Sequence, residues 1–237
     1  SGIGYYIAKS FSDLGSNVII NGKDKSKLIN SCNTLGSNSS YVQSDLSTEK
    51  GIFNFSNNVL EKFNNKIDVL VCNLGSGKPS NDRKTYKSWL DSFNINFFSA
   101  VSVIENFKKA LKKRKGNIIC ISSICGVETI NGAPIPYSVA KNALNFYVKL
   151  YSRELSKINI RINVIAPGNI LFDKSSWSQK LKKNKTKVEN TLKEIVPQNR
   201  FGSPSDISEL AIYLSSSKAN FITGSVFIAD GGQTVSI

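Results

Sequence analysis

Short runs of β-branched and other apolar residues alternate along this chain with longer stretches whose apolar positions recur at helical spacing. The short runs predict strands at 17–21, 40–43, 67–73, 116–122, 160–166 and 225–230. Helical spacing fills most of the intervals, notably 47–63 and the stretch from Tyr137 to about Leu155. Because strands that alternate with helices are typical of parallel sheets, the pattern predicts an α/β fold.

The predicted strands are apolar at nearly every position, as in "IDVLVCN" and "IRINVIA". Such strands are buried on both faces, so helices are expected on both sides of the sheet in three layers. The 237 residues are 40% hydrophobic, which is enough for one sizeable core. No shift of composition and no internal repeat divides the chain, so we predict a single domain over 1–237.

Basic residues outnumber acidic ones, with 31 Lys and Arg against 17 Asp and Glu and a net charge of +14. This charge is compatible with a polyanionic partner such as nucleic acid. We favour solvated lysines on helix faces, because the one dense basic run, at 108–116, has no interleaved aromatic residues. Helical spacing there places Phe107, Ala110 and Leu111 inward and the lysines outward, near a helix C-terminus. We therefore predict no nucleic-acid partner.

The four cysteines, Cys32, Cys72, Cys120 and Cys125, fall at no metal-ligand spacing, and the chain has no His. No metal site is predicted. No apolar run reaches the roughly 18 residues needed to cross a bilayer, so no membrane partner is expected. The low cysteine content suits a reducing compartment and favours a cytoplasmic location.

The segment "PIPYSVAKNAL", residues 134–144, places Tyr137 four positions before Lys141 in a predicted helix. A free Tyr has a pKa of about 10 and exchanges its proton poorly near neutrality. An ammonium one helical turn away favours the phenolate, so we expect Lys141 to lower the pKa of Tyr137. Taken alone, the spacing is more typical of ordinary surface neighbours on a helix, and that alternative stays open here.

Other short motifs accompany the Tyr-x-x-x-Lys pair in a fixed order along the chain. They are "GIG" at 2–4, "CNLG" at 72–75, Asn96 in "WLDSFNINFF", Ser123 in "ISSICG", the Pro-Gly of "NVIAPGNI", and the C-terminal "ITGSVFIADGG". Together they resemble the classical short-chain dehydrogenases/reductases over essentially the whole chain. The resemblance implies a Rossmann-type doubly wound parallel sheet. It also implies an NAD(P)H-dependent oxidoreductase that reduces a carbonyl or oxidises an alcohol by hydride transfer.

The same resemblance implies the catalytic roles. Tyr137 would be the general acid/base, and Lys141 would also bind the nicotinamide ribose. Ser123 would donate a hydrogen bond to the carbonyl oxygen, although a turn serine is the structural alternative and Ser122 is a competitor for the role. Asn96 would hold a helix irregularity and a water that links Lys141 to solvent, its alternative being an ordinary polar helix residue.

The cofactor site is likewise implied by the matching positions, with Pro167, Gly168 and Ile170 lining the nicotinamide. The second strand of the family ends in an acidic residue when NAD is bound, and this chain has Gly22 there, followed by Lys23. We therefore predict NADP(H) in preference to NAD(H). Cys72 and Leu74 replace the family's Asn and Ala, which leaves the packing beside the adenosine open. The full implied set is Gly2, Ile3, Gly4, Lys23, Asp45, Leu46, Asn73, Gly75, Tyr137, Lys141, Pro167, Gly168 and Ile170.

Asp45 would accept a hydrogen bond from the adenine amino group, with Leu46 beside the ring. The structural alternative is a helix N-cap by Asp45 or Ser47.

The opening "SGIGYYIAKSFSDLG" reads as the end of a glycine-rich turn that runs into a helix closing at Gly15. We expect the coding sequence to extend upstream by about 10 to 15 residues, adding a first strand that this sequence lacks and completing the glycine motif. That strand should lie between those near 18–20 and 68–72. Without it, backbone groups of these two strands would stay unpaired, and each such group costs about 1 to 3 kcal/mol. A chain starting at Ser1 is therefore expected to bind NADP(H) poorly and to aggregate.

Residues 171–202 correspond to the family's substrate lid, with Trp177, Leu181 and Leu192 as its inner face and lysines outward. A basic lid suits an anionic or carrier-borne substrate, and the run at 108–116 could dock an acyl carrier protein. The leading specific interpretation is a 3-oxoacyl-[acyl-carrier-protein] reductase.

Three further expectations concern substrate, turnover and assembly. A sugar or polyol dehydrogenase of surface polysaccharide synthesis is the alternative, because the lid is polar for a long acyl chain. A non-catalytic NADP(H)- or nucleic-acid-binding protein is a third interpretation, against which the complete Ser, Tyr, Lys and Asn set argues. The family assembles as tetramers, so a homotetramer is expected through the helix from Tyr137 to Leu155 and the last strand.

Overall fold

The computed structural model describes residues 2–77 and 85–235. Its strands are β1 (Val18–Gly22), β2 (Ser39–Gln43), β3 (Val69–Cys72), β4 (Asn117–Ile121), β5 (Arg161–Pro167) and β6 (Val226–Ala229). Its α-helices are α1 (Ile3–Asp13), α2 (Lys25–Leu35), α3 (Glu49–Lys62), α4 (Tyr86–Phe93), α5 (Ser99–Arg114), α6 (Ile135–Ser156), α7 (Ser176–Lys183), α8 (Lys185–Ile195) and α9 (Pro204–Ser215). All six predicted strands are confirmed, as are the helices predicted at 47–63 and from Tyr137.

Every strand pair among the described residues is parallel. β1 pairs with β2, and the other strands follow the order β3-β4-β5-β6. Within the described residues no hydrogen-bonded ladder joins β1 to β3. The sequence predicts a further strand between these two. That strand remains a prediction.

The alternation of side chains along β4 shows how both faces of the sheet are covered. Ile118 and Cys120 belong to a core cluster that includes α3, α5 and α6, whereas Ile119 and Ile121 belong to a second cluster with α1 and α9. Every residue of β4 is buried. The α/β class and the three-layer, doubly wound arrangement are therefore confirmed.

The basic run at the end of α5 folds as the helical spacing predicts. Phe107, Ala110 and Leu111 are buried, while the cations of the last turn are exposed. Lys115 then ends the helix in the left-handed conformation, with φ of 51°. The lysines thus form a solvated helix end above a packed apolar face.

The carboxyl ends of β3, β4 and β5 lie at one edge of the sheet, because the three strands are parallel neighbours. The segments 73–77, 122–126 and 168–172 follow these ends. Parallel sheets of this kind bind their ligands outside the carboxyl ends of the strands. This edge also contains most of the residues that the sequence analysis singles out.

Candidate active site

Tyr137 and Lys141 lie one turn apart at the start of α6. Pro134 is the N-cap and Pro136 stands in the first turn, where a missing N–H costs nothing. Lys141 is only 2% exposed, and its Nζ lies 5.9 Å from the centre of the Tyr137 ring. The pair therefore faces inward and is not a pair of surface neighbours.

The Lys141 ammonium donates a hydrogen bond to Ile121 O at 2.8 Å, at the end of β4. Burial lowers the pKa of Lys141 to about 8, with the nearby Cys120 and Cys72 thiols acting in the opposite direction. Cys72 and Cys120 are directly paired across β3 and β4. Hydrogen bonding between the two thiols and burial hold the pKa of Cys72 well above its usual range, so this thiol stays protonated.

The pKa of Tyr137 departs from the sequence-based expectation. Burial raises it above its ordinary value, and a hydrogen bond with the Ser123 side chain offsets part of that rise. The expected lowering by Lys141 is wrong, because removal of the phenol from water is the largest influence and the ammonium is bonded to Ile121 O. A phenol in this setting keeps its proton near neutrality and can act as an acid.

Ser123 follows β4 and precedes a 3-10 turn at Ile124–Gly126. Its Oγ accepts a hydrogen bond from Cys125 N at 3.2 Å, and its side chain contacts Tyr137. The competing Ser122 turns away, since its Oγ donates to Lys141 O at 3.3 Å. The geometry thus favours Ser123 over Ser122 as the hydroxyl beside Tyr137.

Asn96 lies in a π-helical turn, Asn94–Phe98, between α4 and α5. The side chain is buried and pairs with the Ser76 backbone in both directions, accepting from Ser76 N at 2.9 Å and donating to Ser76 O at 3.2 Å. It also donates to Ser92 O at 2.9 Å. The helix irregularity implied by the family resemblance is present in this structure, with Asn96 inside it.

The segment that Asn96 holds runs across both catalytic candidates. A Cβ at Gly75 would lie 2.9 Å from Lys141 Nζ and 3.1 Å from Asn96 Oδ1. A Cβ at Gly77 would lie 3.5 Å from the Tyr137 ring. Lys141, Asn96 and Gly75 therefore meet at one point, and a side chain at position 75 would displace the ammonium.

The glycines at the start of α1 leave room for close approach. Gly2 has φ of 72°, and a Cβ there would lie 3.0 Å from the Phe172 ring. A Cβ at Gly4 would lie 2.5 Å from the Asn73 side-chain amide. Ile3, between them, packs against the second core cluster. Phe172 and Asn73 thus pack directly on the glycines at the N-terminus of α1. A helix N-terminus is a place where a phosphate can bind.

Gly22 is the last residue of β1, and Lys23 and Asp45 lie just beyond the ends of β1 and β2. Lys23 Nζ is 3.5 Å from Asp45 Oδ2, in an exposed pair. Hydrogen bonds from Ser47 are the main cause of the lowered pKa of Asp45. The N-cap alternative is wrong for both residues, because Thr48 caps α3 by accepting from Gly51 N. Leu46 packs against the core below.

Pro167 ends β5, and Gly168 and Ile170 lead from it into the segment 171–202. A Cβ at Gly168 would lie 2.6 Å from Asp230 Cβ, so the backbone passes tightly there. Ile170 is buried in the core cluster below the sheet edge and forms an isolated bridge with Gly202. This bridge brings the two ends of the segment 171–202 together.

Helices α7 and α8 make up most of the segment 171–202, for which the family resemblance implies a substrate lid. Leu192 is buried and Trp177 and Leu181 are half-buried, while the lid lysines are exposed. The Trp177 ring packs on Phe201 at 5.3 Å between centroids. A cavity of about 580 Å³ opens beside them, with apolar walls from Leu171, Leu181, Leu192 and Phe201 and polar ones from Lys185, Glu189, Lys193, Asn199 and Arg200.

Three contacts of this site have no counterpart in the sequence reasoning. They are the Phe172 ring over Gly2, the Asn73 amide over Gly4, and Gly77 beside Tyr137. Phe172 follows the Pro-Gly motif by four positions, and nothing in its local sequence marks it.

Within residues 2–77 and 85–235, no group of three or more His, Cys, Asp and Glu side chains is placed to hold a metal ion. All four cysteines, which lie in these ranges, are free thiols. None of the helices described is both long and apolar enough to span a bilayer.

Comparison with known proteins agrees with this geometry. A family model described as enoyl-(acyl carrier protein) reductase matches residues 1–234. The 3-oxoacyl-[acyl-carrier-protein] reductase FabG of Aquifex aeolicus is 32% identical over 98% of this chain and 93% of its own length. The 7alpha-hydroxysteroid dehydrogenase of Escherichia coli K12 is 27% identical over 98% of this chain and 90% of its own length.

Solved structures are similar over the whole chain. The L-sorbose reductase of Gluconobacter frateurii, complexed with NADPH and L-sorbose, superimposes with a TM-score of 0.92 at 27% identity. That similarity covers 100% of this chain and 94% of the reductase. Sequence, fold and site geometry agree, and the chain belongs to the classical short-chain dehydrogenases/reductases, a family of oxidoreductases.

Proposed function

We propose that this protein reduces a carbonyl group to an alcohol with a nicotinamide cofactor, using Tyr137 as the proton donor. The observation that carries the proposal is the meeting of the half-buried Tyr137 with the buried Lys141 and Ser123 at the carboxyl edge of the sheet. Burial of the Lys141 ammonium costs free energy, and perturbed titratable groups of this kind cluster at functional sites.

The residues around α1 fit such a cofactor. Gly2 and Gly4 carry no side chain at the N-terminus of α1, and a helix N-terminus of this kind suits a pyrophosphate. When bound, the reduced cofactor supplies a hydride to the carbonyl carbon. Lys141 carries three ammonium donors, of which one is used by Ile121 O, and it would hold the nicotinamide ribose with another. Pro167, Gly168 and Ile170 would border the nicotinamide.

Each side chain of the cluster then has one task. As negative charge develops on the substrate oxygen, Ser123 donates a hydrogen bond to it, an interaction worth several kcal/mol in a buried site. Tyr137 transfers its proton to the same oxygen, and its raised pKa keeps that proton available for reduction. Asn96 fixes the segment 75–77 against Lys141 and, as in the family, would order the water that links Lys141 to solvent.

We infer a preference for NADP(H) from the end of β1. The position after the strand is Lys23, which is 70% exposed at its side chain and paired with Asp45 over 3.5 Å. A 2′-phosphate would offer this ammonium a stronger partner than an exposed carboxylate. Asp45 would accept from the adenine amino group, with Leu46 beside the ring and Asn73 and Gly75 on the other side.

For the substrate, we propose a 3-oxoacyl group carried on an acyl carrier protein. The similarity to FabG and the cationic rim of the lid support this choice. The exposed cations at the end of α5 would contact the acidic carrier. A sugar or polyol substrate is the second candidate, favoured by the similarity to L-sorbose reductase and by the charged walls of the lid cavity.

We further propose a homotetramer in the cytoplasm. Val139, Phe146 and Leu150 on α6 and Val226 and Ile228 on β6 are exposed apolar side chains on the two elements through which the family assembles. The low cysteine content is the support for the location. Neither membrane nor nucleic acid is proposed as a partner.

The decisive experiment is a panel assay of the purified protein. Reduction of a 3-oxoacyl thioester, L-sorbose and a 7-oxosteroid would be followed with NADPH and with NADH. Turnover of the thioester with NADPH is expected to have the highest kcat/KM. No cofactor oxidation with any carbonyl, combined with tight NADPH binding, would support the non-catalytic interpretation.

A further inference from the structure

The turn that carries Ser123 is fastened to α6 by two asparagines. Gly126 O, at the end of this 3-10 turn, accepts a hydrogen bond from Asn142 Nδ2 at 2.9 Å and one from Asn145 Nδ2 at 3.0 Å. A carbonyl oxygen has two lone pairs, so both are used. The two donors stand on α6 in the turn directly after Lys141.

The turn and the helix are also in close backbone contact. A Cβ at Gly126 would lie 2.6 Å from Lys141 C and 2.8 Å from Asn142 N, so the backbones touch where a side chain would not fit. Ser123 is thus carried on a segment whose other end is held by the same helix that carries Tyr137. The spacing between the two hydroxyls depends on this docking.

Asn145 makes its hydrogen bond at a cost. It is only 8% exposed, and its Oδ1 has no hydrogen-bond partner among the described residues. An unsatisfied buried acceptor destabilises the folded state, and an apolar residue of similar size would avoid that loss. Burial of an Asn here is therefore explained by what its Nδ2 does at Gly126 O.

We propose that Asn142 and Asn145 are positioning residues that hold Ser123 at working distance from the Tyr137 hydroxyl by binding Gly126 O. The inference rests on the proposed function, because it assigns a catalytic benefit to that distance. Neither asparagine touches the reacting atoms. A displacement of about 1 Å at a reacting group can cost on the order of 100-fold in rate, so a small shift of the turn is sufficient.

The test is the double variant Asn142→Ala/Asn145→Leu, measured with the best carbonyl substrate of the panel. We expect kcat to fall about tenfold or more while the KM for the cofactor stays within about twofold, since Lys141 is untouched. The matched control is Asn117→Leu. Asn117 is also buried, donates from Nδ2 to a backbone carbonyl, Leu214 O at 2.7 Å, and leaves its Oδ1 unpartnered.

The control separates positioning from stability. Both variants are expected to change the melting temperature, but only the double variant should lose kcat. A kcat within twofold of wild type, or an equal loss in Asn117→Leu, would overturn the proposal. If the double variant does not fold, the single variant Asn142→Ala, at an exposed position, replaces it. We expect its kcat to fall about threefold. An unchanged kcat would contradict the proposal.

A second readout is the pH dependence of kcat. The Ser123 hydrogen bond lowers the pKa of Tyr137, so loosening the turn should move the midpoint of the Tyr137 titration to higher pH. Among residues 2–77 and 85–235, the other titratable groups facing Tyr137 are Lys141 on α6 and Cys125 on the turn, and neither is changed. If Tyr137→Phe loses activity while the double variant keeps the wild-type kcat, the positioning role is rejected and the proposed function stands. Retained activity in Tyr137→Phe would reject the proposed function itself.

Discussion

At the scale of single residues, burial decides the chemistry of this site more than the spacing of its charges. Lys141 and Tyr137 are both shifted toward their neutral forms by burial. The sequence pattern alone suggested the opposite for Tyr137, because helical spacing shows that two groups are neighbours and not how much water they keep. The site therefore holds a protonated phenol beside a lysine that titrates near pH 8.

The lowered pKa of Lys141 predicts a stability change with pH. The pKa of Lys141 is about 8 in the folded protein and takes the ordinary value of 10.5 in the unfolded chain. Between these two pH values the folded protein binds fewer protons at this lysine than the unfolded chain does. The free energy of unfolding should therefore rise with pH. Relative to Lys141→Met, which cannot titrate, wild type should gain about 2 kcal/mol between pH 7 and pH 10. Urea unfolding of both proteins at the two pH values measures this. Parallel changes in both would show that Lys141 is not the cause.

Cofactor choice is also a single-residue property. Lys23→Asp removes the ammonium that would contact a 2′-phosphate and adds a carboxylate that would repel it, next to Asp45. The ratio of kcat/KM for NADPH to that for NADH should fall about tenfold or more. The matched control is Lys27→Asp, because Lys27 is an exposed lysine in the first turn of α2. This variant should leave the ratio unchanged. A wild type that already prefers NADH would contradict the assignment.

At the scale of elements, the contact between the Ser123 turn and α6 explains why position 126 is a glycine. Gly126→Ala would place a Cβ 2.6 Å from backbone atoms of α6, which cannot move aside as a side-chain end can. Overpacking of this kind costs about 1 to 3 kcal/mol, and kcat should fall with it because the turn must shift. Gly22→Ala, whose Cβ would meet Leu28 at an ordinary 3.4 Å, should unfold nearly as wild type. Thermal unfolding and kcat of both variants check this.

The elements themselves were largely predictable. Strands such as β4 were visible as continuous apolar runs, and α6 as a long helical pattern, because both are set by local spacing. The positions of Ser123, Asn96 and Tyr137 followed from the family resemblance. The contact of Phe172 with Gly2 and the bonds of Asn142 and Asn145 to Gly126 were not predictable, since they join segments far apart in the chain.

At the scale of the whole molecule, the exposed apolar residues of α6 predict assembly. Phe146 is 63% exposed and Leu150 is 55% exposed. If copies pair through this helix, Phe146→Glu should lower the molar mass in solution, because a buried charge without a partner is costly at an interface. Phe53→Glu, on α3 and also 63% exposed, is the control and should keep the wild-type mass. Light scattering after size exclusion measures both, and equal masses for all three proteins would contradict the interface.

The central claim is that Tyr137 donates the proton in a hydride-transfer reaction. The most direct measurement is the single-turnover rate of NADPH oxidation in Tyr137→Phe, with the carbonyl substrate that wild type reduces best. General acid catalysis contributes about 100-fold to 10,000-fold, so the rate should fall at least about 100-fold while NADPH affinity stays near wild type. Tyr86→Phe, a change at an 82% exposed tyrosine, should have no effect. A wild-type rate in Tyr137→Phe would contradict the account.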